Sequence, residues 1–176
     1  HWLTLESNGA LDALEYNVVC PNGAHLAKNL PIDLTCDESI RNSLHEVARF
    51  ELDILIAIKT LDGRTKETLL IDKSENELRW IDSLFALCRH SYETIQSKNI
   101  PVVALCLNAF RDGQLDPFTG LASGFMKSLA RELNGPVCRV IDTDESNFYR
   151  ALRQVEIELG QAGNDEVEVC YKEGVR

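Results

Sequence analysis

Strand-like and helix-like segments alternate along these 176 residues. That order predicts an α/β fold: a truncated Rossmann-like, doubly wound, mostly parallel sheet with helices on both faces. Two observations carry the prediction. DILIAI (53–58) and IPVVALCL (100–107) are almost wholly apolar, as strands covered on both faces must be. Between and after them, apolar residues recur at intervals of three and four over stretches long enough for helices. The length suits one domain, 1–176, in which residues 1–52 carry the weakest pattern.

Taken in order, Trp2 to Leu5 is a short β-favouring run stopped by Glu6-Ser7-Asn8-Gly9. Ala10 to Glu15 fits a turn or two of helix, and Asn17 to Cys20 a second short strand before Pro21-Asn22-Gly23. His25 to Leu34 alternates around Pro31, and Thr35-Cys36-Asp37 suits the N-cap of a helix whose Ile40, Leu44, Val47 and Ala48 share one face. After the DILIAI strand, Ser74-x-x-Glu77 matches a capping box. It predicts a helix with Leu78, Ile81, Leu84, Phe85, Cys88, Tyr92 and Ile95 as a buried stripe about five turns long. Asp116-Pro117 opens a further helix, Asp as N-cap and Pro at the first helical position. Leu121, Phe125, Leu129 and Leu133 form its expected inward ridge, and Gly120 and Gly124, one turn apart, let it approach a neighbour closely. Asn134-Gly135-Pro136 ends it, Val137 to Ile141 is a strand, and Ser146 caps a last helix with Phe148, Leu152, Val155 and Leu159 inward. Glu166 to Tyr171 closes the sheet.

Composition narrows the function. Hydrophobic residues at 44% and charged residues at 26% are the balance of a folded globular domain. Lys and Arg number 18 against 28 Asp and Glu, and the resulting net charge of −10 repels phosphate backbones and anionic membranes, so neither nucleic acid nor membrane is an expected partner. No apolar run approaches the ~20 residues that span a bilayer, and the start is not signal-like, which points to the cytoplasm. Cys20, Cys36, Cys88, Cys106, Cys138 and Cys170 are scattered without a C-x-x-C pair, mostly inside apolar runs. They read as reduced, buried small hydrophobes. His1-Trp2, without an initiator methionine, reads as a cut end.

The usual chemistry of such a sheet is not visible. Gly9, Gly23, Gly63 and Gly113 are isolated, and neither G-x-G-x-x-G nor G-x-x-x-x-G-K-[ST] is present to cradle a phosphate. No tyrosine has a lysine four residues later, and Tyr171-Lys172 point to opposite faces of a strand. No G-x-S-x-G elbow accompanies His25, His45 or His90, and Cys88 and His90 lie roughly 200° apart on a helix. Asp142 and Asp144 alternate at a strand end, where carboxylates can bind metal, but capping of loops and helix starts accounts for them more simply. Glu156 and Glu158, like Glu166 and Glu168, read as solvated faces. No catalytic, cofactor-binding or metal-binding residue is therefore assigned.

From Asp116 onward, DPFTGLASGFMKSLARELNGPVCRVIDTDE, ALRQVEIEL and EVEVCYKEGVR resemble the N-terminal, structural subdomain of the ketoreductase region of modular polyketide synthases. The residues that carry the resemblance are Gly124, Ser128, Leu129, Ala130 and Glu132; Cys138, Arg139 and Asp142; and Tyr171, Lys172, Gly174 and Arg176. It implies a short-chain dehydrogenase/reductase-like scaffold for polyketide biosynthesis, with the catalytic set and NADPH confined to a second half that would follow Arg176. The implied partners are that catalytic subdomain or adjacent synthase domains, and Tyr171, Lys172, Gly174 and Arg176 are the implied interdomain seam. The expected function is thus a non-catalytic subdomain or pseudo-ketoreductase. The alternative is a self-contained small-molecule enzyme on a degenerate nucleotide-binding fold, using Asp142 or Asp144.

Overall fold

The computed structural model describes residues 2–7, 13–19, 25–33, 38, 42, 45, 53–61, 72–111, 113–161 and 165–176; for 2–33, 72–77, 79 and 111 the backbone alone is described. Strands β1 (Trp2–Ser7), β2 (Ala13–Val19) and β3 (His25–Asp33) form an antiparallel meander. The chain then enters β4 (Ile54–Thr60), which lies parallel to β1 on the side away from β2. From here strand and helix alternate. Helices α1 (Asp72–His90) and α2 (Tyr92–Lys98) lead to β5 (Val102–Leu107), and a two-residue hairpin, β6 (Phe110–Arg111) with β7 (Gln114–Leu115), leads to α3 (Thr119–Glu132). Then come β8 (Cys138–Thr143), α4 (Phe148–Gly160) and β9 (Glu168–Tyr171). The sheet order is β3-β2-β1-β4-β5-β8-β9, with β4, β5, β8 and β9 mutually parallel.

The apolar runs are buried strands because both sheet faces carry helices. Leu55, Ala57, Val102, Ala104, Cys106 and Val140 pack against Trp80, Leu84 and Leu87 of α1, Ile95 of α2 and Ala122, Met126 and Leu129 of α3. Their neighbours in sequence, Ile56, Ile58, Val103, Leu105 and Ile141, point the other way, onto Ala151, Leu152 and Val155 of α4. The α2 amide side chain of Gln96 ties the turn after α3, donating to the Asn134 carbonyl at 2.8 Å and accepting from the Asn134 N–H at 3.1 Å.

Several local expectations are corrected. Ala13–Glu15 belong to a strand, not a helical turn, because they pair with Pro31–Asp33 of β3. Pro31 is tolerated there because β3 is the outermost strand, where a missing N–H breaks no inner ladder. Residues 38, 42 and 45 are helical as that segment's spacing predicts, while Ile40, Leu44, Val47 and Ala48 lie outside the described residues. Helix α1 begins at Asp72, two residues before Ser74, so Ser74 lies inside the helix instead of capping it.

The buried faces of two helices are also rotated from the expected ones. On α1, Trp80, Leu84, Leu87 and Cys88 are inward, whereas Leu78 and Phe85 are each 50% exposed. On α3 the ridge is Ala122, Met126 and Leu129, and Leu121 is 38% exposed. Gly120 and Gly124 face open space, with nothing within 4 Å of where a Cβ would sit, so close helix approach is not their role. Asp116 accepts from the Phe118 N–H at 3.0 Å, and the i to i+3 bonds of Thr119, Gly120 and Leu121 make a tight first turn before the α-helix proper. Asn147, not Ser146, caps α4, accepting from the Arg150 N–H at 3.2 Å.

Candidate functional site

Three groups of residues bear chemistry or shape. The first is the C-terminal segment. Tyr171 is buried and donates its hydroxyl to Glu158 Oε1 at 2.7 Å, and Arg176 Nε donates to the same oxygen at 2.9 Å. The second arm of Arg176 reaches Glu166. Glu158, expected on a solvated face, is fully buried on α4, since it is the acceptor that these two donors need. Burial, with the Glu158 carboxylate beside it, pushes the Tyr171 phenol up to about 12. Lys172 and Val175 exchange backbone bonds of 2.9 Å across a turn in which Glu173 and Gly174 take φ of 52° and 76°. Gly174 suits that left-handed position, and Lys172 Nζ points to the Gly113 carbonyl at 3.4 Å. Of the four expected seam residues, Tyr171, Lys172 and Arg176 are thus bonded within this chain, and Gly174 forms the turn between them.

The second group crosses the carboxyl ends of the parallel strands. Lys59, Cys106, Asp142 and Cys170 stand in register on β4, β5, β8 and β9. Asp142 is fully buried, and neither carboxylate oxygen receives a hydrogen bond from an N–H or O–H donor among the described residues. Burial pushes its pKa up to about 6, opposed by a bond to the Cys106 thiol and reinforced by the charge of Glu168. Glu168 is itself held by Ser123 Oγ at 2.9 Å and Lys127 Nζ at 2.5 Å, and these bonds lower its pKa. Asp144 does cap, accepting from the Glu173 N–H at 2.6 Å, but Asp142 caps nothing. Among the described residues no group of three His, Cys, Asp or Glu is placed to hold a metal ion.

The third group is a groove between α1–α2 and α3 with a cavity of about 640 Å³. Phe85 and Phe125 meet edge to face, centroids 6.4 Å apart, and Cys88 and Leu129 also line it. Tyr92 is 39% exposed and leans across to α3, its hydroxyl donating to the Glu132 carbonyl at 3.3 Å. Arg89, His90, Glu93 and Glu132 form a polar rim. The His90 ring also meets the exposed His45 ring edge to face at 5.5 Å. Cys88 is no nucleophile: burial, with the Cys138 thiol nearby, pushes it up to about 12, so the reactive thiolate is absent at neutral pH. Cys88, Cys106 and Cys138 are buried, as their apolar contexts predict, while Cys170 is exposed.

Periodicity missed this groove because it assigned Leu78, Phe85, Tyr92 and Leu121 to the core. The missed signal was width: Leu78, Trp80, Ile81, Leu84, Phe85, Leu87 and Cys88 cover far more of α1 than one inward stripe needs. The surplus is an outward face.

No family model and no curated protein matches the chain. Among solved structures, T. thermophilus RuvC in complex with Holliday junction substrate is similar at 15% identity, covering 70% of this chain and 78% of that one with a TM-score of 0.40. No family model and no curated protein of a polyketide synthase or ketoreductase matches, so that resemblance, and the synthase partners it implied, do not stand. The residues that carried it serve general packing needs of an α/β unit. Leu129, Cys138, Arg139 and Asp142 are buried, Ser128 bonds back to the Gly124 carbonyl at 3.1 Å, and Tyr171 and Arg176 fasten a strand end. Among the described residues no helix is long and apolar enough to cross a membrane.

Proposed function

We propose that this chain is a non-catalytic packing module. In this reading it is a truncated, Rossmann-like, doubly wound body that presents the α1–α3 face to another folded surface. The observation that supports it most is the groove itself: half-exposed Phe85 and Tyr92, with Phe125 between the helices, form an apolar patch of the kind that marks an interaction site. Two checks apply. An apolar dye such as bis-ANS should bind the dilute chain at this face and lose that binding in Phe85→Glu, with circular dichroism confirming that the variant is folded. NADPH should give no saturable binding in calorimetry. Dye uptake indifferent to Phe85→Glu, or micromolar NADPH binding, would sink the reading.

The competing reading, a small-molecule enzyme, draws on Asp142 alone, a carboxyl raised to about 6 at the carboxyl end of β8. Asp142 does not line the groove. Saturable nucleotide binding that Asp142→Asn weakens would favour that reading.

A further inference from the structure

We infer that the occupant of the α1–α3 face is a second copy of this chain, docked antiparallel with Phe85 at the dyad. The inference rests on the packing-module reading and names the partner of that same face.

Spacing carries the first step. Leu78 and Phe85, both exposed on α1, stand seven residues apart, so they fall on one line that drifts only ~20° over that step, and exposed Tyr92 opens α2 just beyond its end. A copy turned end for end sets Phe85 against Phe85, as an isologous two-fold contact requires. Leu121 and Phe125 on α3 extend the same face sideways, which gives each copy two helices and the pair a four-helix contact.

Charge fixes the direction. Asp82 and Arg89 are both exposed, three residues before and four after Phe85, on the same flank of the stripe. In an antiparallel pair this flank faces its own equivalent, so Asp82 comes within about 1.5 Å of the height of Arg89 of the second copy, twice over. A parallel pair would set the same flank against Ile81 and Cys88, which are apolar and uncharged. The antiparallel arrangement alone matches opposite charges.

Sedimentation equilibrium of the 176-residue chain from low micromolar to several hundred micromolar tests this. A monomer–dimer equilibrium is expected. Phe85→Glu should weaken it by at least about 30-fold, the loss typical of a hot-spot aromatic. Asp82→Arg alone should weaken it, and Asp82→Arg with Arg89→Asp should restore it, which a merely destabilised fold would not do. A chain that stays monomeric throughout, or a dimer indifferent to Phe85→Glu and to the charge swap, overturns the inference. A monomer whose dye binding still depends on Phe85 would overturn self-docking and leave the packing-module reading intact. A monomer without such dye binding would end both.

Discussion

At the scale of single residues, Asp142 is a carboxyl group whose environment opposes its charge. A carboxyl raised to about 6 binds protons in the folded state that the unfolded chain has already released. The contribution to stability therefore declines as pH rises from about 4 to about 6, then stays level. A shift of that size corresponds to about 3 kcal/mol at pH 7. Asp142→Asn, which removes the buried charge while keeping the shape, is expected to stabilise the chain at pH 7.5 by about 2 kcal/mol and to have little effect at pH 4, in urea melts at both. A variant less stable than the parent at pH 7.5 would show that an ionised Asp142 is well satisfied. Tyr171 makes the opposite case. Its hydroxyl is a donor to the fully buried Glu158, so Tyr171→Phe should lower stability by about 2 kcal/mol, read as a shift in the urea midpoint.

At the scale of elements, the rotation of α3 is measurable. Met126 is wholly buried and Leu121 is 38% exposed, so Met126→Ala should destabilise by about 3 kcal/mol and Leu121→Ala by less than about 1. The reverse order would restore the ridge that the sequence suggests. Gly120→Ala and Gly124→Ala should each raise stability by about 0.5–1 kcal/mol, since both sites are helical, exposed and open to a Cβ. Thermal denaturation of each variant checks this. Strands β4 and β5 were legible because double-sided burial leaves an unbroken apolar run. The meander was not, because Ala10–Glu15 have no strong pattern and Pro31 argues locally against a strand that only its outer position permits. The facing of α1 was misread for another reason: periodicity gives the arc that is apolar, and here that arc serves two surfaces. Glu158 was misread because its reason for burial, the donors Tyr171 and Arg176, comes from residues more than ten positions later.

At the scale of the whole molecule, charge and shape oppose each other. Two bodies of charge −10 with centres about 40 Å apart repel by on the order of 10 kcal/mol in unscreened water. Salt at 0.1 M cuts the range of that repulsion to about 10 Å. The exposed Asp82 and Arg89 pairs of the proposed dimer are worth only about 0.2–1 kcal/mol each, so relief of repulsion wins. Raising sodium chloride from 20 to about 300 mM should tighten self-association in sedimentation runs, and a weakening would mean that local pairs dominate. The two outermost strands bear on where such association stops. Strand β3 carries Pro31, and β9 has four residues before the chain folds back through the Lys172–Val175 turn. Neither edge of the described sheet is a long, uninterrupted template for another chain's backbone. Growth by strand addition, the route to fibres, is poorly served, and a two-fold helix contact uses up its own surface. The assembly these features allow is a finite one.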